Sequence, residues 1–254
     1  MSEKPLILVT NDDGVTAPGI NALTEVACDF GKVVVVAPDK PQSGMGHAIT
    51  INSTLRVFKL HEENCAMRYS TSGTPVDCVK LAVNEVLERK PDLILSGINH
   101  GSNASINVIY SGTMSAAIEG SMEGIPSIGF SLMNHSIDAN FKASKVYARK
   151  VIEKVLKFGL EPGVCLNVNI PNLPVAEIKG MKVCNQANAN WVEEFDARTD
   201  PSGEKYFWMT GKFVNHDKRE DTDIKALKAG YVSVVPVQYD LTAHESVKKL
   251  RAQF

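Results

Sequence analysis

Leu6-Ile7-Leu8-Val9-Thr10-Asn11-Asp12-Asp13-Gly14 is the stretch on which the reading of this chain turns. The apolar run from Leu6 to Val9 reads as a buried strand, and Asn11-Asp12-Asp13-Gly14 as the turn that ends it. Two carboxylates side by side in such a place repel each other and resist leaving water, so Asp12 and Asp13 need a cation or basic partners. A metal ion is the expected partner. In open α/β sheets ligands bind in the crevice beyond the carboxyl ends of the strands, so chemistry is expected at the same position.

Outward from this stretch, short β-branched runs alternate with helix-length segments, the pattern of β-α-β units and a mostly parallel sheet. Val33–Ala37, Leu93–Ser96, Ser127–Leu132 and Cys165–Ile170 join Leu6–Val9 as strands, each apolar on both faces as a sheet covered by helices requires. Pro18 suits the first turn of a helix that Gly31 would stop, and Thr74-Pro75 opens another that ends near Arg89. Between Ala48 and Ser72, Thr50, Leu55–Lys59 and Met67–Ser70 suggest short antiparallel strands. After Pro174 the composition turns polar and aromatic. Trp191 and Phe195, then Tyr206, Phe207 and Trp208, flank the turn Asp200-Pro201-Ser202-Gly203, which reads as a β-ribbon, either packed on its own sheet or reaching another subunit. Thr242-Ala243-His244-Glu245 fits a capping box that starts a last helix.

Composition excludes several classes. The 254 residues are 44% hydrophobic and 22% charged with a formal net charge of −2, ordinary for a globular protein. That balance offers no footprint for a nucleic-acid polymer, and apolar runs such as Val33–Ala37 are far too short to span a bilayer. Met1-Ser2-Glu3-Lys4-Pro5 shows no basic region followed by a long apolar stretch, so no secretory signal and a cytoplasmic location are expected. Five scattered cysteines (Cys28, Cys65, Cys78, Cys165, Cys184) contain no C-x-x-C pair and are expected to be reduced and mostly buried.

Three more loops follow strands and converge on the acidic pair if the sheet is as described. Pro38-Asp39-Lys40-Pro41-Gln42-Ser43-Gly44-Met45-Gly46 offers the neutral oxygen of Ser43. Gly97-Ile98-Asn99-His100-Gly101-Ser102-Asn103 places Asn99 and Asn103 at the same end of the sheet, and Tyr110-Ser111-Gly112-Thr113 precedes a small-residue helix, Met114 to Met122, whose free N–H groups could hold a phosphate. Taken singly, Ser43, Asn99 and Ser111 are ordinary turn or capping residues, and their weight comes from joint placement.

These segments, together with Ser72-Gly73-Thr74-Pro75-Val76-Asp77-Cys78-Val79, Ala116-Ala117 and Asp240-Leu241-Thr242, resemble the SurE family, the stationary-phase survival proteins that act as metal-dependent nucleoside monophosphate phosphatases. The resemblance covers nearly the whole chain. It implies a Rossmann-like α/β core over residues 1–180, and over 181–254 a projecting hairpin and a C-terminal segment exchanged between subunits of a homodimer or homotetramer. It also implies that Asp12, Asp13, Ser43 and Asn99 bind one divalent ion per subunit.

The donor chemistry agrees with a hard ion, magnesium or manganese, since all four side chains present oxygen. Such an ion would polarise a phosphoryl group and activate water, with Asp12 and Asp13 as the catalytic carboxylates. Asn103, Ser111, Gly112 and Thr113 would position the remaining phosphate oxygens. No proton donor is assigned, since His100 and His47 read as incidental histidines. The activity implied is hydrolysis of nucleoside 5′- and 3′-monophosphates, with short polyphosphate open. Rival readings fit less well. A receiver domain would need an acceptor aspartate where Ser96-Gly97-Ile98-Asn99 stands, a dehalogenase-type phosphatase would need D-x-D, and a nucleotide-binding module without chemistry would lack both G-x-G-x-x-G and G-x-x-x-x-G-K-[ST].

Overall fold

The computed structural model describes residues 4–63 and 65–254. In chain order its elements are β1 (Leu6–Thr10), α1 (Pro18–Ala27), β2 (Lys32–Pro38), β3 (Val57–Glu63), β4 (Ala66–Thr71), α2 (Pro75–Leu81), β5 (Leu93–His100), α3 (Asn107–Tyr110), α4 (Gly112–Met122), β6 (Ser127–Leu132), α5 (Lys142–Phe158), β7 (Val164–Ile170), β8 (Met181–Val183), β9 (Ala189–Thr199), β10 (Lys205–Asn215), α6 (Asp223–Lys228), β11 (Val232–Gln238) and α7 (His244–Leu250).

Alternation along β1 sends successive side chains to opposite faces, and each face finds its own helical layer. Ile7 and Val9 pack with Val33, Val35, Leu93 and Leu95 against Ile20 and Leu23 of α1 and Val151 and Val155 of α5. Leu6 and Leu8 pack with Val34, Val36 and Ile94 against Cys78 and Val79 of α2 and Ala116 of α4. Each aliphatic side chain so buried stabilises the fold by about 1.5–3 kcal/mol, which is why these runs carry no polar face. The strand order is β3-β4-β2-β1-β5-β6-β7-β11-β8. From β1 the chain steps to β2 on one side and later returns to β5 on the other, so the winding reverses at β1 and opens a crevice beyond its carboxyl end.

The strands from β4 through β7 in this order are parallel, and the fold is the mixed, mostly parallel α/β sheet expected. Several local expectations change. β4 pairs parallel with β2, so only β3 runs antiparallel in this region. Thr50 joins no strand, because its hydroxyl and amide bond the Asp77 carboxylate at 2.6 and 3.1 Å and tie the loop to the start of α2. Thr74 does cap α2, with Asp77 reciprocating, but the helix widens to a π turn over Ala82–Val86 and stops there rather than near Arg89. α1 ends at Ala27; Gly31 lies instead against the strand before it, where a Cβ would sit 2.0 Å from the Pro5 carbonyl oxygen. The capping box at Thr242 does not form. Asp240 takes the Thr242 amide at 2.9 Å and contacts His244 Nε2 at 2.9 Å, which leaves Ala243 at the cap position of α7.

The C-terminal region closes one edge of the sheet. β11 pairs antiparallel with β7 and carries β8, although Pro236 argues against a strand in the sequence. β9 and β10 form a separate two-stranded ribbon, anchored at its base where Trp191 Nε1 donates to Asn107 Oδ1 at 2.8 Å and packs edge-on to Phe213. Phe195, Phe207 and Trp208 are exposed along it. The cysteines are not all reduced: Cys28 and Cys65, 37 residues apart, form a disulfide with Cα atoms 5.9 Å apart, because the turn after α1 lies beside the β3–β4 turn. Cys78, Cys165 and Cys184 are free and buried. Among the described residues no helix is long and apolar enough to cross a membrane.

Gly19 lets α1 approach β5 closely, since a Cβ there would fall 2.0 Å from the Ile98 carbonyl oxygen. Gly19→Ala is expected to cost about 1–3 kcal/mol in urea unfolding. An unchanged midpoint would contradict this contact.

Candidate active site

The acidic turn is braced from within. Asn11 Nδ2 donates to the Gly14 carbonyl at 2.9 Å and Asn11 Oδ1 accepts the Gly14 amide at 3.2 Å, while Gly14 adopts φ +100°, which glycine takes without strain. Asn11 therefore holds the backbone of the turn. Val15 N donates to the Pro38 carbonyl at 2.9 Å and Gln42 N to the Asp12 carbonyl at 2.7 Å, so the loop after β2 is fastened to the turn and Ser43 follows at the next residue.

From the other side, β5 pairs with β1 through Thr10↔Ser96 and runs on to His100. The His100 amide donates to Asp13 Oδ2 at 3.4 Å, and its ring Nδ1 lies 3.2 Å from the same oxygen. The ring stands edge-on to Phe141, and its Nε2 is buried without a hydrogen-bond partner among the described residues. Asn99 Nδ2 donates to the Gly101 carbonyl at 3.0 Å, which leaves Oδ1 as the end of the amide suited to a cation.

α4 closes the third side. Thr113 Oγ1 donates to Asp12 Oδ1 at 2.5 Å, and Gly112 comes so near that a Cβ would sit 2.7 Å from Asp12 Cβ and 3.0 Å from Oδ2. Ser111 caps the helix by accepting the Met114 amide at 3.0 Å, so the Gly112 and Thr113 amides remain without helical acceptors. Asp12, Asp13, Thr113 and Gly112 thus meet by direct contact, and Ser43 and Asn99 each lie one residue from a residue bonded to the turn. Asn103 and Ser111 make no hydrogen bond to either carboxylate among the described residues. Asn103 Nδ2 donates to Ser131 Oγ at 2.8 Å, and Ser111 is occupied at its cap.

Residues that the sequence reading passed over hold this frame. The Asn103 amide donates to Asn169 Oδ1, Asn167 Nδ2 donates to the Asn103 carbonyl, and Asn169 Nδ2 donates to Asn167 Oδ1, each at 2.8 Å. Two buried asparagines in the otherwise apolar β7 were the available signal, since buried amides require partners. His100, read from sequence as incidental, instead contacts Asp13. His47 contacts Glu119 at 3.0 Å, where Lys80 also binds, so it belongs to an ion-pair cluster on α4.

Asp12 is 4% exposed. Burial pushes its carboxyl up to about 6 from 3.8, and repulsion from Asp13 adds to this against the opposing Thr113 bond. A cation would relieve that penalty. Among the described residues no cluster of three His, Cys, Asp or Glu side chains is placed to hold an ion, and the donors at the crevice are two carboxylates with neutral oxygens nearby in the chain. Such a set suits hard divalent ions, and the residues present fit one.

A doubly wound α/β sheet with an acidic, oxygen-rich crevice at its switch point defines the class of protein. The family model for survival protein SurE matches residues 7–193. A protein of Christiangramia forsetii named 5′-nucleotidase SurE is 63% identical over 250 residues, covering 98% of this chain and 96% of that protein. One of Flavobacterium psychrophilum with the same name is 61% identical over 97% of this chain and 96% of its own length. The crystal structure of a SurE protein from Aquifex aeolicus matches with a TM-score of 0.85 at 41% identity, over 98% of this chain and 99% of that one. The chain belongs to the SurE family.

In metal-free protein the raised Asp12 pKa makes the folded state bind its proton more tightly than the unfolded chain does. The resulting penalty is absent below 3.8 and complete above about 6. Asp12→Asn, measured in chelator, is expected to be more stable than the parent near neutral pH by up to about 3 kcal/mol, with the gain vanishing in acid. A variant less stable at neutral pH would contradict the account of a strained carboxylate.

Proposed function

We propose that this chain is a metal-dependent 5′-nucleotidase that hydrolyses nucleoside monophosphates to nucleoside and phosphate, acting also on 3′ esters. The observation that carries the reading is the acidic pair, Asp12 buried and Asp13 half-buried, at the switch point of a chain whose close relatives are named 5′-nucleotidase SurE. Asp12, Asp13, Ser43 and Asn99 would hold one magnesium or manganese ion. When bound, the ion supplies positive charge to the phosphoryl oxygens and acidifies water.

The chain's own groups do the rest. Thr113 ties up Asp12 Oδ1 and so orients the carboxylate, leaving Oδ2 beside Gly112 to take the proton of the attacking water. The Gly112 and Thr113 amides at the start of α4, the second of which already faces the Asp12 carboxylate, receive phosphate oxygens, where the helix dipole favours negative charge. Ser111 and Asn103 complete this binding wall, the first by setting the helix cap and the second by fixing the loop after β5. His100 holds Asp13 against β5 and keeps the two carboxylates from moving apart.

The exposed aromatic ribbon, with Leu241 and Phe254 93% and 104% exposed at the C-terminal end, supports assembly as a homodimer or homotetramer through the ribbon and the last helix. The cytoplasm, where nucleoside monophosphates arise, is the location consistent with this substrate.

A hydrolysis panel of 5′- and 3′-nucleotides and short polyphosphate under several divalent ions tests the reading. Asp12→Asn and Asp13→Asn are expected to lower nucleotide turnover at least about 100-fold with the fold intact by circular dichroism. Ser43→Ala and Asn99→Ala should raise the metal concentration needed for half-maximal rate. Unchanged turnover of either aspartate variant at limiting metal, or stable phosphorylation of the protein itself, would overturn it. Light scattering should give a mass of two or four chains, and a monomer at micromolar concentration would remove the assembly.

A further inference from the structure

We propose that Cys28–Cys65 is a reversible thiol–disulfide exchange site, opened by small-molecule thiols that attack the Cys65 sulfur. Three placements support this. Cys28 is the cap residue just after α1, and Cys65 stands immediately before Ala66, which pairs with Val33 on the neighbouring strand. The bridge therefore clamps the turn after α1 to the turn before β4, at the amino-terminal end of the sheet. Asp12 lies beyond the other end of β1, so the clamp is remote from the acidic crevice.

The two cysteines differ in their surroundings. Both cysteines are half-buried, but Cys65 lines an open cleft of about 630 Å³ together with Lys4, Lys32, Glu62 and Glu88. Both also pack against the core, and Cys28 does not line the cleft. The mixed charges around the cleft suit a small zwitterionic thiol such as a cysteine-containing peptide. The other cysteines are poor competitors. Cys78 and Cys165 are buried, and burial pushes both thiols up to about 12, where almost no thiolate exists near neutral pH.

The exchange balances without an outside oxidant. A thiolate attacks Cys65 Sγ, forms a mixed disulfide there and displaces the Cys28 thiolate, which takes up a proton. A second small thiol then attacks the mixed disulfide, leaving both cysteines reduced and releasing the small-molecule disulfide. The reverse sequence, starting from that disulfide, closes the clamp. Because the bridge joins residues 37 apart, closing it removes conformational freedom from the unfolded chain. The clamp thereby sets thermal stability according to the surrounding thiol balance while leaving the crevice untouched.

The test uses the full chain purified without reductant. Peptide mass mapping should show the 28–65 bridge, and reduced glutathione should yield two newly alkylatable thiols under native conditions. The melting temperature should fall by roughly 10 °C, oxidised glutathione should restore it, and room-temperature turnover should stay unchanged throughout. Cys28→Ser should take glutathione from its disulfide at Cys65, at least about tenfold faster than Cys65→Ser takes it at Cys28. Absence of the bridge in the parent chain, a melting temperature indifferent to reduction, or faster modification of Cys28 would each overturn the proposal. Apart from turnover, none of these readouts depends on the nucleotidase reading.

Discussion

Asp12 is almost wholly out of water, stands next to a second carboxylate in the chain, and is pressed by Gly112 from one side and bonded by Thr113 from another. A carboxylate in such a place loses hydration that a hydroxyl only partly replaces, and its pKa rises to about 6 as a result. The rest of the site answers this constraint. Asn11 stiffens the turn, Gln42 fastens the next loop to it, and His100 holds Asp13 against β5. A structure that keeps an acid in this state carries a cost of about 3 kcal/mol near neutral pH. A divalent ion bound there would remove that cost and so link affinity for the ion to stability of the fold.

The sheet makes this convergence possible. Winding reverses at β1, so the loops after β1, β2 and β5 emerge around one crevice, and α4 enters beside it. On the far side of that crevice, Asn167, Asn169 and Ser131 form a buried amide and hydroxyl network that fixes the loop containing Asn103. Asp223 continues it by accepting the amides of Ser105 and Ala187 at 2.7 and 3.1 Å, which binds the C-terminal region to the same loop. Buried polar groups satisfied in this way define one geometry, whereas an apolar contact would permit several.

Much of the fold was legible because the central strands are apolar on both faces and bounded by prolines, glycines and charges. β6 begins after Pro126 and spans Ser127–Leu132 as read from sequence. β8 and β11 were not legible. The first has three residues and the second contains Pro236, so neither shows the length or composition by which strands are recognised. The acidic pair stood out because two adjacent carboxylates at the end of an apolar run repel each other, which an acidic turn capping the next helix would explain less well than a cation. His100 did not stand out, because its contact with Asp13 joins residues 87 apart in the chain and leaves no local trace. The same holds for Cys28 and Cys65, whose meeting depends on β4 lying beside β2.

The central claim is that the strained acidic turn and its neutral neighbours form one cation site. Crystals grown with manganese, with anomalous diffraction measured at its absorption edge, test this most directly. The account predicts one peak per chain, about 2.0–2.4 Å from oxygens of Asp12, Asp13, Ser43 and Asn99. A fully occupied ion elsewhere, or a peak at the turn with Ser43 and Asn99 both outside bonding distance, would contradict it.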